Sequence, residues 1–414
     1  MIGGSSPAGP PAISGATWLA ASGPQSVMRA IAGPGDEEAR VVGGAVRDAL
    51  LGLPVADIDI ATTATPDVVA ARAAAAGFKV VPTGIEHGTV TVIAHGDAIE
   101  VTTLRSDIAT DGRRATVVFG RDWRADALRR DFTLNALSVS ADGVLHDPAG
   151  GYADCLARRV RFIGDADARI REDYLRILRF FRFHARYGSG PPDAAGLAAA
   201  LRGRDGLRRL SAERIGQEMR KLVTAPGAAA TVETMAETGI LEIVLAGVVR
   251  LRRFQRRAAL LAAQGRADAP APALSALAAW LAEDVERVAD RLRLSNAERR
   301  RMLAAVAAGD MLAATSGRAD RTVLWRVGPE AYRDAMTAVW ADAEAPADDE
   351  TWARRLAEAD DPPPPLPVAG RDLLARGVTP GPEIGRLLAE AEARWIASGF
   401  TLGREALLDL VAAR

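Results

Sequence analysis

The chain has 414 residues and a mass of 43.5 kDa, too long for one hydrophobic core and long enough for two to four domains. Its 52 basic side chains nearly cancel its 53 acidic ones, which excludes a uniformly basic nucleic-acid coat and leaves any polyanion to a local patch. The single cysteine, Cys155, excludes a disulfide framework and a cysteine zinc site, and no apolar run approaches the roughly 20 residues that span a bilayer.

Only Lys79 and Lys221 among the basic residues are lysines, an arginine bias that codon usage in a GC-rich genome explains. Met1 to Ser14 is rich in Gly, Pro and Ser and is expected to be disordered. The N-terminus lacks the charged start and apolar core of a secretion signal, so a cytoplasmic location is expected.

Strand signals come early. Ala39–Val42 is a short apolar run ending at Gly43-Gly44, and Asp57–Thr62 is a second strand candidate. Thr65-Pro66-Asp67 caps an Ala-rich helix that Gly77 ends. Thr89–Ile93 and Ile99–Leu104 alternate around His95-Gly96-Asp97, the pattern of a hairpin. The first 150 residues therefore form a small mixed α/β unit.

After Arg169 the period becomes helical. A helix over Arg169–Tyr187 would put Ile170, Tyr174, Ile177, Leu178 and Phe181 on one stripe, with Gly188 ending it. Ser211 caps a further helix. The middle is Ala/Leu-rich helix broken at Ala269-Pro270-Ala271-Pro272. Acidic Asp342–Asp361 runs into the stiff Pro362–Pro365 linker, and a last helical unit follows from Gly370.

Three constellations carry chemistry. In Gly43-Gly44-Ala45-Val46-Arg47-Asp48 followed by Asp57-Ile58-Asp59, the strand period of two aims both aspartates from one face. Adjacent carboxylates repel unless they share a divalent cation, and hard oxygens suit Mg²⁺, which keeps positions for water and phosphate. The Gly-Gly turn lets backbone N–H groups approach a triphosphate at the start of a helix, and Arg47 adds a forked donor. Glu100 would be a third carboxylate if its strand neighbours Asp57–Ile60; otherwise it is an exposed strand glutamate.

The second constellation is Arg129-Arg130-Asp131-Phe132-Thr133-Leu134-Asn135, with arginine forks for phosphate and Asn or Thr for a ribose hydroxyl. Asp131 would hold an arginine in position. The third is Glu172-Asp173-Tyr174-Leu175-Arg176, where three-residue steps set Asp173, Arg176, Arg179 and Arg182 along one helical ridge. Taken alone, that ridge is equally a set of surface ion pairs.

In order and spacing these three resemble the class II CCA-adding tRNA nucleotidyltransferases and poly(A) polymerases of the polymerase-β superfamily. The likeness runs through Gly43–Thr62, Thr83–Arg105, Arg129–Ala136, Asp147–Gly151, Glu172–Arg182 and Ser211–Leu222. It returns at Gly370–Leu373 and Pro380–Gly385. It implies an α+β protein: an N-terminal extension with a short helix (1–37), a catalytic head on a small mixed sheet (38–150), and a helical nucleotide-recognition neck (151–225). A helical RNA-binding body (226–361) and a helical tail (366–414) complete the elongated form.

The resemblance also implies that Asp57 and Asp59 hold two Mg²⁺ ions, with Glu100 as a further catalytic carboxylate. Gly43, Gly44, Arg47, Arg130 and Asn135 would contact the nucleotide. Asp173 and Arg176 would read the base of CTP or ATP, and Arg179 and Arg182 would bind the phosphates. Cytosine and adenine both pair an amine donor with a ring-nitrogen acceptor, which a carboxylate and a guanidinium match.

The segment Ser106–Trp123, with Asp111, Arg113 and Arg114, corresponds to the family's flexible loop for switching from C to A. tRNA is the expected partner, met along the helical part by Arg252, Arg253, Arg256 and Arg257, with Arg202, Arg204, Arg208 and Arg209 as a second cluster. The sequence leaves the oligomeric state open. Thr83–Thr89 and the tail motif favour CCA addition over poly(A) synthesis, and both aspartates argue against a catalytically inactive RNA-binding protein on the same head.

Overall fold

The computed structural model describes Leu19 and residues 21–35, 37–111, 114–315 and 320–412; the expected tail Met1 to Ser14 and Arg113 lie outside them. Two compact units are present: Met1–Leu210 with Ala225–Gly227, and Ser211–Thr224 with Ala228–Arg414.

The first unit is built on a seven-stranded sheet of order β3-β4-β5-β2-β1-β8-β9. Its strands are β1 (Ala39–Val42), β2 (Asp59–Thr62), β3 (Lys79–Gly84), β4 (Thr89–Ala94), β5 (Asp97–Thr103), β8 (Ser138–Ser140) and β9 (Leu145–His146). β6 (Arg105–Asp111) and β7 (Arg114–Phe119) make a separate hairpin inside the segment expected to be a loop. All neighbours in the large sheet are antiparallel except β2 and β5. His95 (φ 54°) and Gly96 (φ 94°) close the β4–β5 hairpin, the two positive angles that a tight two-residue turn between right-twisted strands demands.

One face of the sheet is dry. Val41, Ile60, Val90, Val92, Ile99, Val101 and Val139 are buried there. Helices α1 (Ser22–Ile31) and α3 (Pro66–Ala75) pack over it through Val27, Met28, Ile31, Val69 and Ala73. The intervening α2 (Gly44–Leu50) follows β1 directly. The alternate residues, Glu100 and Asp59 among them, therefore project from the opposite face.

Four further helices serve the site: α4 (Trp123–Leu128), α5 (Gly151–Leu156), α6 (Ala166–Glu172) and α7 (Leu175–Tyr187). Phe132, with ring centroids 4.9 Å from Phe162 and 5.1 Å from Phe183, anchors the Arg130–Asn135 segment to α7. Fully buried aromatic groups of this kind dominate local packing energy.

The second unit is helical. One core gathers Tyr332, Met336 and Trp340 with Leu260, Leu324 and Leu356. Another gathers Val368, Leu373, Leu387, Trp395 and Leu407. The long helix Asp320–Asp342 breaks at Gly328 (φ 81°), just before Pro329.

Candidate nucleotidyl-transfer site

Register places the carboxylates. Asp59 is the partner of Glu100 on parallel β5 and of Val42 on β1; Val42 faces Ser138 on β8, and Ser138 faces His146 on β9. Directly paired residues share a face, so Glu100, Asp59, Val42, Ser138 and His146 form one row across five strands. The expected neighbouring of Glu100 and the aspartate strand is thus present.

Asp57 differs from expectation, because β2 starts at Asp59 rather than Asp57. On the β1 side Val42 is the last residue and Gly43 turns away at φ 66°, so β1 offers no backbone to pair with Asp57 and Ile58. Asp57 stays close enough for its charge to act on Asp59. The Asp59 carboxyl is pushed above the usual range by burial, then by Glu100, then by Asp57, with Arg130 opposing them.

Crowded carboxylates with a raised pKa are short of positive charge, and hard oxygens are a magnesium donor set. Among the described residues no three acidic or imidazole groups close on a single point as a metal cage. An ion held by one or two carboxylates and completed by water and phosphate is the arrangement Mg²⁺ prefers. The residues therefore fit the metal.

Gly43 brings the backbone close to a cation. A side chain there would stand 3.1 Å from Arg130 Nη1, in a left-handed conformation that favours glycine. Arg130 itself donates to the Asn135 carbonyl (3.2 Å) and to Asp126 (3.3 Å), and Arg129 donates to Asp126 at 2.9 and 2.5 Å. Asp126 is buried, and the sequence reading missed it although it lies three and four residues before the two arginines.

Arg47 is 6% exposed and fully engaged. Its Nε donates to Asp48 (2.8 Å), Nη1 to Asn135 Oδ1 (2.8 Å) and Nη2 to the Tyr187 hydroxyl (2.6 Å), and its guanidinium lies 4.0 Å from the Tyr187 ring centre. Asn135 in turn donates to Asp131 Oδ1 (2.9 Å), and Asp131 Oδ2 accepts from Arg179 Nε (2.7 Å). Burial works to raise the Asp131 pKa, but Arg179, Asn135 and the Phe132 N–H prevail and lower it. Asp131 thus holds an arginine, as its sequence neighbourhood suggested. Tyr187 was read only as part of a helix, and nothing in its sequence position signals its part here.

The helix expected over Arg169–Tyr187 is two helices. Asp173 is extended (φ −157°, ψ 108°) between α6 and α7, and its carboxylate accepts the Leu175 N–H at 3.1 Å. An aspartate that satisfies a free N–H at a helix start competes with helix continuation, so the break falls at Asp173. The ridge then begins at Arg176, which donates to Glu172 (2.5 Å) and to the Arg169 carbonyl (2.9 Å). Arg182 lies 4.4 Å over the Phe183 ring, with Arg179 at 5.3 Å.

The arginines expected to meet RNA are mostly occupied within the second unit. Arg257 is 3% exposed and pairs with Asp268 (2.7 Å) and Asp334 (3.8 Å). Arg256 donates to the Ala341 and Ala345 carbonyls, and Arg253 to the Ala279 carbonyl, with Asp342 3.6 Å away. Only Arg252 is well exposed, and it pairs with Glu344 at 2.7 Å. The acidic stretch Asp342–Asp361 supplies partners to this cluster through Asp342 and Glu344. In the second cluster all four arginines are exposed, with Arg202 paired to Asp167 at 2.6 Å and Arg208 to Asp205 at 3.8 Å.

Three family models match: the poly A polymerase head domain over residues 39–161, the probable RNA and SrmB-binding site of polymerase A over 198–250, and tRNA nucleotidyltransferase domain 2 over 272–411. The mitochondrial CCA tRNA nucleotidyltransferase 1 of Mus musculus is 34% identical across 91% of this chain and 87% of its own length. The CCA-adding enzyme of Latilactobacillus sakei is 32% identical across 90% and 93%. The Bacillus stearothermophilus CCA-adding enzyme, solved in complex with CTP, superposes with a TM-score of 0.72 at 28% identity, covering 94% of this chain and 96% of that one. With the carboxylate row, the glycine turn and the arginine helix all carried on one head, and with relatives of this identity spanning nearly its whole length, the chain belongs to the CCA-adding tRNA nucleotidyltransferase family.

Proposed function

We propose that this protein adds C, C and A to the 3′ end of tRNA from CTP and ATP, releasing pyrophosphate at each step. The observation that carries the reading is the Asp59–Glu100 register pair with Arg130 beside it, a concentration of negative charge bordered by a phosphate-binding cation. Asp57 and Asp59 would hold two magnesium ions, which when bound supply a more acidic attacking hydroxyl and charge stabilisation for the departing pyrophosphate.

The chain's own groups do the rest. Gly43 and Gly44 leave the backbone accessible to the triphosphate, and Arg130, Arg179 and Arg182 neutralise it. Arg47 and Asn135 fix the turn and the Arg130–Asn135 segment relative to each other. Asp173 and Arg176 accept from the exocyclic amine and donate to the ring nitrogen of cytosine or adenine, so no template is needed. Exposed arginines such as Arg204, Arg208 and Arg209 offer phosphate contacts to tRNA.

Among the described residues no helix is long and apolar enough to cross a membrane. Residence in the cytoplasm belongs to the same proposal and is checked by cell fractionation, since named vertebrate relatives are mitochondrial. The deciding experiment sequences the products made on tRNA lacking its 3′ CCA with all four triphosphates present. Three added residues, C-C-A, followed by a stop are expected; an adenosine homopolymer would refute the reading.

A further inference from the structure

The open face of the sheet continues past the carboxylates into a cleft of ≈ 420 Å³, within the ~300–1,000 Å³ range of ligand pockets. Its floor includes Val42, Ser138 and His146, three members of the row that also holds Asp59. Neighbouring strands lie about 4.8 Å apart, so the floor starts one strand from Asp59. Arg130 stands at the boundary: it lines the cleft, and its charge acts on Asp59.

The remaining chemistry of the cleft is lopsided. Both acidic residues lining it are already engaged, Asp126 by Arg129 and Arg130, and Asp147 by the Gly151 and Tyr152 N–H groups. The donors are not. Among the described residues the buried Trp123 indole N–H has no acceptor, and a buried donor left unpaired is costly. The Arg124 guanidinium is exposed at the rim and has no partner among the described residues. The Trp123 ring packs on Val42, Ala61 and Leu104, with Arg40 stacked 4.1 Å from its centre. A ligand that matches is flat, apolar on its faces, rich in hydrogen-bond acceptors and anionic: a nucleotide unit.

We propose that this cleft seats the terminal nucleotide of the RNA being extended, with its phosphate toward Arg124 and its 3′-hydroxyl at the Arg130–Asp59 end. The assignment rests on the nucleotidyl-transfer reading above. It gives the acceptor strand a site on the sheet face, distinct from the arginine helix α7 that serves the incoming triphosphate.

The test uses the full chain and two variants, Arg124→Ala and Trp123→Phe, the second removing the N–H while keeping an aromatic ring in the packing. KM is measured for tRNA lacking CCA at saturating CTP, and for CTP at saturating tRNA. Each variant is expected to raise the RNA KM roughly tenfold, the effect of losing one hydrogen bond to a charged or buried partner, with the CTP KM within about twofold of wild type. An unmoved RNA KM overturns the assignment. A rise in the CTP KM instead shows a second site for free nucleotide and equally overturns it. Should Trp123→Phe fail to fold, the exposed Arg124 decides alone. Wild-type protein that adds nothing to tRNA fails the functional reading itself, whereas active wild type with unmoved variants fails only the cleft.

Discussion

Asp131→Asn is the substitution that most directly tests how the site is held. The amide keeps an oxygen for the Phe132 and Asn135 N–H groups but gives Arg179 no anion to meet. Hydrogen bonds to charged groups contribute about 1.5–3 kcal/mol net. Because the Arg179 side chain is 32% exposed and regains water when released, the lower half applies, about 2 kcal/mol. For a unit of this size that is a fall of about 4–8 °C in melting temperature. Calorimetry reads it in the transition that CTP shifts upward, which identifies the first unit.

The pH dependence carries a second, sharper signature. The folded pKa of Asp131 lies below its unfolded value of 3.8, so its stabilisation is complete well above that value and is lost as pH falls through the folded one. The gap between wild type and Asp131→Asn should therefore be full well above the unfolded value and close as pH falls through the folded one, where the carboxyl becomes as neutral as the amide. In a double-mutant cycle with Arg179→Ala the two changes should couple by about 1–2 kcal/mol. A gap independent of pH, or strict additivity, would refute the contact.

Asp59→Asn should lower nucleotide incorporation by roughly a thousandfold or more, as several kcal/mol of transition-state charge stabilisation goes with the metal site. The same metal-free variant should melt at or above the wild-type temperature at pH 7, since a raised carboxyl pKa means that the ionised form burdens the fold; clearly lower melting contradicts the crowding. In wild type the magnesium requirement should rise as pH falls through the Asp59 value. Asp173→Ala should reduce preference for CTP and ATP over UTP and GTP by roughly 10–100-fold, the worth of one bidentate base contact, and retained selectivity would remove Asp173 from base reading. Arg257→Ala should cost the second unit about 3 kcal/mol by stranding Asp268, while Asp334 keeps Arg301, yet leave the salt slope of tRNA binding unchanged. A slope smaller by about one would mean that Arg257 does contact phosphate.

Local chemistry was legible in the sequence, and distant pairing was not. Gly43-Gly44, Asp59 on its strand, the His95-Gly96 hairpin and Gly188 at the end of α7 all declare themselves within a few residues, because turn angles and strand period are local properties. Whether Glu100 joins Asp59 depends on β5 lying parallel beside β2, a pairing between residues 41 positions apart that no short-range pattern encodes. The break at Asp173 had a local signal, an aspartate two residues before a helix start, which the apolar stripe on either side outweighed. The fate of Arg252–Arg257 turned on Asp268, Asp334, Asp342 and Glu344, up to 92 residues away, and charge clusters disclose their partners only when the chain is folded.

The contacts among Arg47, Asn135, Asp131 and Arg179 have a mechanical consequence. The chain of bonds leaves α7 at Arg179, crosses to the segment before β8, reaches α2, and returns to α7 at Tyr187. Its two attachment points are eight residues apart, about 12 Å along the helix axis. A rod clamped at two places resists both sliding and torque, because either motion must break two bonds at once. The arginines proposed to bind phosphate are therefore carried on a stiff beam tied to the glycine turn, while Asp173 sits beyond the clamp, at the joint with α6. If Asp173 reads the base as proposed, adapting from one base to another calls for movement at that joint, and the beam can stay still.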